Sequence, residues 1–206
     1  EIIEMLAQRK DEIKWDTPNG IRGDTWTFER VKKSKESGCQ YLTVAIESAV
    51  QDVIDKVVKK KLDLNEVERL MEYCQDVNLS LNAFYIIGLP GETKDNIMYT
   101  LNYALNCYDK YDVLPVVNLA KVLPGTELYE NTVNNHLYTD KLEFKPNEIT
   151  TDEFDPKWIA EQYAWFRRKL NKIRIIKSLK SPREFTKSFQ ILIDKFNDKM
   201  ALFSKT

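Results

Sequence analysis

Four short stretches carry the residue types and spacing that could hold a ligand. Glu47-Ser48 follows the apolar run 41–46, Tyr-Leu-Thr-Val-Ala-Ile. Gly88-Leu89-Pro90-Gly91-Glu92-Thr93 follows the run 81–87. Leu123-Pro124-Gly125-Thr126 follows the run 113–122, and Asn19-Gly20-Ile21-Arg22 sits in a loop rich in turn formers. A carboxylate directly after an apolar strand is placed to accept hydrogen bonds from ligand hydroxyls. The same acid at the start of a helix is stabilised by the helix dipole, and for Glu47 both readings stand. Gly88 and Gly91 let the backbone turn sharply and lie against something flat, either neighbouring chain or a ligand.

The sulfur and imidazole chemistry is sparse. Cys39, Cys74 and Cys107 lie about 35 residues apart, without metal-ligand spacing, and three is an odd number for a disulfide framework. They read as buried thiols. His136 is the single histidine and lies in a polar Asn-Asn-His stretch, so no histidine-based triad or His-rich metal site can be assembled.

The elements that must position these stretches alternate. Residues 1–10 have a helical pattern, 13–15 form a short strand candidate, and Thr25 or Thr27 can cap a helix carrying Phe28 and Val31, closed by Gly38. After the strand at 41–46, Val50, Val53, Ile54, Val57 and Val58 recur at helical spacing, with Lys59-Lys60-Lys61 in the last turn, where cations suit the dipole. Asp63 and Glu66 open the next helix, whose stripe is Val67, Leu70, Met71, Cys74 and Val77. Thr93 caps another, with Ile97, Leu101, Ala104, Leu105 and Tyr108 facing inward. Strands recurring every 30 to 40 residues with helices between them predict a parallel sheet of βα units. From about 131 the composition becomes polar and loop-rich up to 156. Helical stripes follow at 157–177 and, after Ser181-Pro182, at 183–203, from Phe185 to Met200. These aromatic stripes read as packing, with a membrane-surface role as the competing reading. The expected domains are a barrel part over 1–130 and a loop with a helical extension over 131–206.

Composition bounds the function. The chain has 206 residues, is 43% hydrophobic and carries a net charge of −1. That profile is globular and makes no case for nucleic acid or an acidic membrane as partner. No apolar run approaches the roughly 20 residues that span a bilayer, and no basic-then-apolar leader opens the chain, so a cytoplasmic location is expected. The chain starts at Glu1 inside a helical pattern and reads as cut from something longer. Four strand candidates fall short of the eight strands and roughly 250 residues of a closed barrel. They predict an open, incomplete barrel whose edges invite association between copies.

In parallel α/β architectures chemistry gathers at the C-terminal ends of the strands. The four stretches, in this order, resemble the radical S-adenosylmethionine superfamily, most nearly its members that follow a cobalamin-binding domain. The resemblance covers residues 1–130 and corresponds to strands three to six of a six-stranded partial barrel. It implies that Glu47, with Ser48 beside it, holds the ribose hydroxyls of the adenosine. It places Lys59 where relatives carry a basic residue for the methionine carboxylate, and Gly88, Leu89 and Leu123 against the adenine. Asn19 and Arg22 then line the third-strand end, facing substrate or cofactor.

The departures shape the expectation as much. The family's Cys-x3-Cys-x2-Cys motif is absent, as are its first two strands, and the three cysteines present cannot converge on one cluster from one loop. Ala49 stands where relatives usually have glycine. In the family a 4Fe–4S cluster donates one electron to split the sulfonium C–S bond, giving a 5′-deoxyadenosyl radical. The resemblance therefore implies the C-terminal part of such an enzyme. Its cluster loop would lie upstream, with no catalytic or metal-binding residue in this stretch, and cobalamin would be an upstream partner. The competing readings are a non-catalytic half-barrel that serves as a binding or interaction module, and a phosphate-binding barrel fragment unrelated to this cofactor.

Overall fold

Alternating apolar residues set the sheet. In β2 (Cys39–Glu47) Leu42, Val44 and Ile46 are buried. In β3 (Ser80–Ile87) the buried set is Leu81, Ala83, Tyr85 and Ile87. Period-2 alternation of this kind puts one face of each strand into a core. β1 (Trp15–Asp16) and β4 (Leu114–Leu119) complete a four-stranded, all-parallel sheet in the order β1-β2-β3-β4. The computed structural model describes residues 2–8 and 13–180. The stripe expected at 183–203, from Phe185 to Met200, lies outside the described residues.

Helices cover the buried face. After α1 (Ile2–Gln8) come α2 (Phe28–Glu36), α4 (Leu64–Asp76) and α5 (Lys94–Tyr111), which contact β2, β3 and β4. They bury Val31, Leu70, Met71, Ile97, Leu101 and Ala104. Their starts follow the cap signals in the sequence. Thr27 Oγ1 accepts from Arg30 N at 3.3 Å, Asp63 Oδ1 from Asn65 N at 2.8 Å, and Thr93 with Asn96 forms a reciprocal capping box. Gly38, just past α2, has φ +92°, and a Cβ there would stand 2.1 Å from the carbonyl oxygen of Ile13. No side chain fits, so the glycine is required.

The opposite face is only half covered. Tyr41 and Ala45 of β2, Asn82, Phe84 and Ile86 of β3, and Leu114 and Val116 of β4 are half-buried there, and Asn118 is exposed. The register aligns them in rows, Ala45 beside Phe84 beside Val116 and Ile86 beside Asn118. This is the concave wall of a half-barrel. Its edges differ: β1 is two residues long, while beyond β4 Asn147 N donates to Ala120 O at 2.9 Å and Lys121 bridges antiparallel to Pro146.

Three elements depart from the sequence pattern. The helix expected over Val50–Val58 is a single turn, α3 (Gln51–Val53), continued as a π turn over Ile54–Val58 and ended by Lys59 at φ +59°. Val53, Ile54, Val57 and Val58 are β-branched and crowd one another at α-helical spacing, and the wider turn still buries Val53 and Ile54. β4 stops at Leu119, short of the run to 122: Ala120 N still donates to Ile87 O, but Ala120 O accepts from Asn147 N and Lys121 bridges to Pro146. α6 (Glu127–Asn134) starts ahead of the polar stretch and runs into it, behind the cap of Thr126, whose Oγ1 accepts from Tyr129 N.

The chain divides into two compact units, Glu1–Ala164 and Trp165–Thr206. The first contains the sheet, its covering helices and the start of α7 (Pro156–Lys180); the second contains the rest of that helix. Among the described residues, no helix is long and apolar enough to cross a membrane.

Candidate functional site at the strand ends

The end of β2 is irregular in a way that aims one side chain. Pairing with β3 runs Ala45 to Phe84 and then Glu47 to Tyr85, so Ile46 is an extra residue and the strand bulges. Bulges increase local twist and recur beside active sites. Glu47 follows at φ +71°, a conformation that costs a non-glycine residue about 1–3 kcal/mol. Its carboxylate is about a quarter exposed, and Oε1 accepts from Lys60 Nζ at 3.1 Å. Among the described residues Oε2 has no protein partner.

Lys60 reaches this acid because of the π turn. With Lys59 and Lys61 both in the left-handed region, the chain reverses and turns the Lys60 side chain back along β2, where Nζ also bonds the Ala45 carbonyl. Arg22 fixes the reversal. It grips Asp24 through Nε and Nη2 at 2.7 and 2.8 Å and donates to the carbonyls of Lys60 and Lys61. The Asp24 carboxylate raises the Arg22 pKa further, chiefly through this hydrogen bond. The segment carrying Arg22 is itself anchored to β2, since Ile21 N donates to Thr43 O at 2.7 Å and Thr43 N to Thr17 Oγ1 at 2.8 Å.

At the end of β3 the backbone does the shaping. Gly88 sits at φ +86°, and a Cβ there would meet Ile159 at 3.6 Å and Ala120 at 4.0 Å, so conformation more than space calls for glycine. Leu89 N donates to Glu92 Oε2 at 2.8 Å, and Glu92, only 2% exposed, lies beneath the turn. Burial pushes its carboxyl up to about 7, opposed by the N–H groups of Leu89 and Gly88. Ala120 N donates to Ile87 O at 2.9 Å, which brings the segment leading to Leu123 beside this turn. Leu123 is 44% exposed, and its carbonyl accepts from Thr126 Oγ1.

The residues singled out in the sequence thus separate into groups. Glu47 and Arg22 join through Lys60 in one bonded chain, and Gly88, Leu89 and the approach to Leu123 are neighbours. Asn19 is an exposed turn residue on the loop ahead of Arg22. Ser48 points elsewhere. Its hydroxyl is fully buried, bonded to Thr100 Oγ1 at 3.2 Å and to Val50 N, and so ties β2 to α5. The ammonium of Lys59 pairs with Glu127 on the surface rather than with Glu47. Sequence reading missed Lys60 and Glu92. The triple-lysine run held the first without a way to choose among its members, and the second was hidden in a turn read for its glycines.

The cysteines do not converge. All three are buried and free. Burial pushes Cys39 and Cys107 up to about 11 and Cys74 up to about 12, so they are thiols and not thiolates near neutral pH. Among the described residues, no group of three His, Cys, Asp or Glu side chains could hold a metal ion. The described residues therefore do not fit an iron–sulfur cluster.

A parallel half-barrel of βα units with its polar groups at the strand mouths defines the class. The family model described as the Radical SAM superfamily matches residues 1–104, half of the chain, and the chain belongs to that superfamily. Cytidylyl-2-hydroxyethylphosphonate methyltransferase of Streptomyces wedmorensis is 32% identical over 98 residues, which cover 45% of this chain and 18% of that enzyme. Among solved structures, coproporphyrinogen III oxidase (HemN) of Escherichia coli, a radical SAM enzyme, superposes with a TM-score of 0.50 at 16% identity, over 82% of this chain and 36% of that one. The radical S-adenosylmethionine methyltransferase TsrM of Kitasatospora setae, with tryptophan and an S-adenosylmethionine analogue bound, gives 0.54 at 11% identity, over 84% and 40%. These structures share the fold. The chain spans less than half the length of each of these relatives.

Proposed function

We propose that this chain is the C-terminal part of the barrel of a radical S-adenosylmethionine enzyme, with residues 1–130 as half-barrel and 131–206 as an extension. Its strand ends hold the adenosine moiety of the cofactor. The observation that carries the reading is Glu47, aimed by a bulge and a strained backbone, with one carboxylate oxygen held by Lys60 and the other open. A carboxylate accepting two vicinal hydroxyls forms charge-assisted bonds of roughly 1.5–3 kcal/mol each. Lys60, not Lys59, is the cation at this acid, and it keeps the carboxylate oriented whether or not hydroxyls are present. The Gly88–Leu89 turn and Leu123 give a flat, partly apolar surface suited to a purine. Arg22 serves the site through the backbone of Lys60 and Lys61. Bound together, the cofactor and a 4Fe–4S cluster held by residues outside this chain supply reductive cleavage of the sulfonium.

The likeness to two methyltransferases, one of them solved with cobalamin bound, favours the cobalamin-associated branch and a methyl-transfer reaction. On its own the 206-residue chain is inactive. Anaerobic reconstitution of the full-length protein, followed by S-adenosylmethionine and dithionite, is expected to yield 5′-deoxyadenosine or S-adenosylhomocysteine, with the chain alone yielding neither. A full-length protein that takes up a cluster yet consumes no S-adenosylmethionine would favour the competing reading, a non-catalytic half-barrel module. A stoichiometric 4Fe–4S EPR signal from the chain alone, lost on replacing Cys39, Cys74 or Cys107, would overturn the assignment of the cluster to other residues.

A further inference from the structure

The net charge of −1 averages two unlike parts of the chain. Residues 165–206 hold twelve Lys or Arg and three Asp or Glu, a net charge of +9. Residues 1–164 hold nineteen and twenty-nine, a net charge of −10. The basic excess is densest in the last turns of α7, where residues 165–180 carry seven Lys or Arg and no acid. The sequence after it, 181–206, adds five more and a run of aromatic and aliphatic residues from Phe185 to Phe203.

A basic helix end is ordinarily a solvated face favoured by the helix dipole, and that accounts for cations in the final turn. It does not account for Arg168 and Lys172. Both are exposed, four residues apart on one face, with no acid at helical spacing to offset their repulsion. Nor does solvation account for what continues that face. At 3.6 residues per turn Ile175 and Leu179 stand in line with Arg168 and Lys172, and they are 60% and 66% exposed, with Ile176 alongside at 43%. Phe166 and Leu170, on the other side of the helix, are buried. The end of α7 is therefore apolar on two sides, and its exposed apolar side is also the cationic one.

Cations interleaved with aliphatic side chains fit a surface that is anionic outside and apolar just beneath. Lys and Arg stems keep their charges at the headgroups while the aliphatics enter the acyl boundary. Nucleic acid would engage the cations, but its phosphates give Ile175 and Leu179 nothing to bury against. Among the described residues no helix can cross a membrane, so the contact is with the surface. We propose that the C-terminal end of α7 is a docking surface for an anionic lipid bilayer, with Arg168 and Lys172 at the headgroups and Ile175, Ile176 and Leu179 entering beneath them.

Flotation of the full-length protein with vesicles tests this. Vesicles of two parts phosphatidylcholine to one part phosphatidylglycerol should carry the protein, pure phosphatidylcholine should not, and high salt should release it. Each cation at such a surface strengthens binding about fivefold, so Arg168→Gln with Lys172→Gln should weaken it about twentyfold. Ile175→Ser with Leu179→Ser should weaken it at least about tenfold. All four side chains are exposed, so melting temperatures should hold; if one double variant melts lower, the other decides. No flotation overturns the proposal, and is the result expected if residues 181–206 cover Ile175 and Leu179 instead. Equal flotation on both kinds of vesicle, or wild-type affinity in either double variant, also overturns it. Binding to single-stranded RNA without flotation, lost with the cations and kept without the aliphatics, overturns it and gives the surface to nucleic acid.

Discussion

The ends of β2 and β3 both carry a glutamate, and the two acids are built for opposite conditions. Glu47 sits a quarter exposed on a strained, bulged strand end, with Lys60 on one oxygen and the other open. Glu92 is buried beneath a glycine turn, bonded only to backbone N–H groups, and pushed up to about 7. An acid meant to meet a ligand needs solvent access and a fixed aim. An acid meant to hold backbone needs burial and can tolerate partial protonation. In the proposed reading the same residue type, placed after neighbouring strands, serves recognition at Glu47 and support of the backbone at Glu92.

The largest expected effect lies on the buried side. The raised folded-state pKa means that the folded protein keeps a proton the unfolded chain releases. The stabilising contribution is present in full below the unfolded value of 4.5 and is lost as pH rises through about 7. Stability should fall by about 2 kcal/mol between pH 5 and 8, and Glu92→Gln should flatten that slope. Urea denaturation at both pH values checks this; an equal slope in the variant would show that Glu92 is not the titrating group. A smaller effect of opposite sign belongs to the exposed acid. Glu47→Gly relieves the left-handed backbone and should raise stability by about 1 kcal/mol, less the part-exposed ion pair with Lys60. A clear loss of melting temperature would make Glu47 structural and erase the contrast. The smallest effect separates the two lysines. Lys59→Gln should change stability by less than about 0.5 kcal/mol and leave cofactor affinity unaltered, because its partner Glu127 is a surface group. Weaker binding in Lys59→Gln than in Lys60→Gln, measured by calorimetry, would return the role to Lys59.

What was legible in the sequence follows from which signals are local. β2, β3, α4 and α5 are long enough for their apolar period to show, and Thr27, Asp63 and Thr93 announce their helices with cap chemistry. The ordered stretches from Asn19 to Thr126 carried the family likeness, and the parallel sheet follows from strand–helix alternation. The choice of Lys60 was not legible. It depends on a π turn and two left-handed residues held by Arg22, which lies 38 residues away in sequence from Lys60. α6 was not read in the sequence: Thr126 stood in a stretch read as a turn, and Asn131 and the asparagines beyond it read as loop. The burial of Glu92 depends on the turn folding back over its own side chain, which composition does not encode. Ser48 looked like a site residue because it follows Glu47; its partner, Thr100, is brought by the packing of α5.

The central claim is that Glu47 is a ligand-binding acid, and Glu47→Ala tests it most directly. Calorimetry of S-adenosylmethionine binding to the full-length wild type and variant should show affinity falling at least about tenfold, since about 1.4 kcal/mol is a factor of ten. The iron–sulfur spectrum should be retained, and the melting temperature should be unchanged or higher. A helix-start acid would lower stability by about 0.3–1 kcal/mol and leave binding alone. Unchanged affinity with a lowered melting temperature would contradict the account.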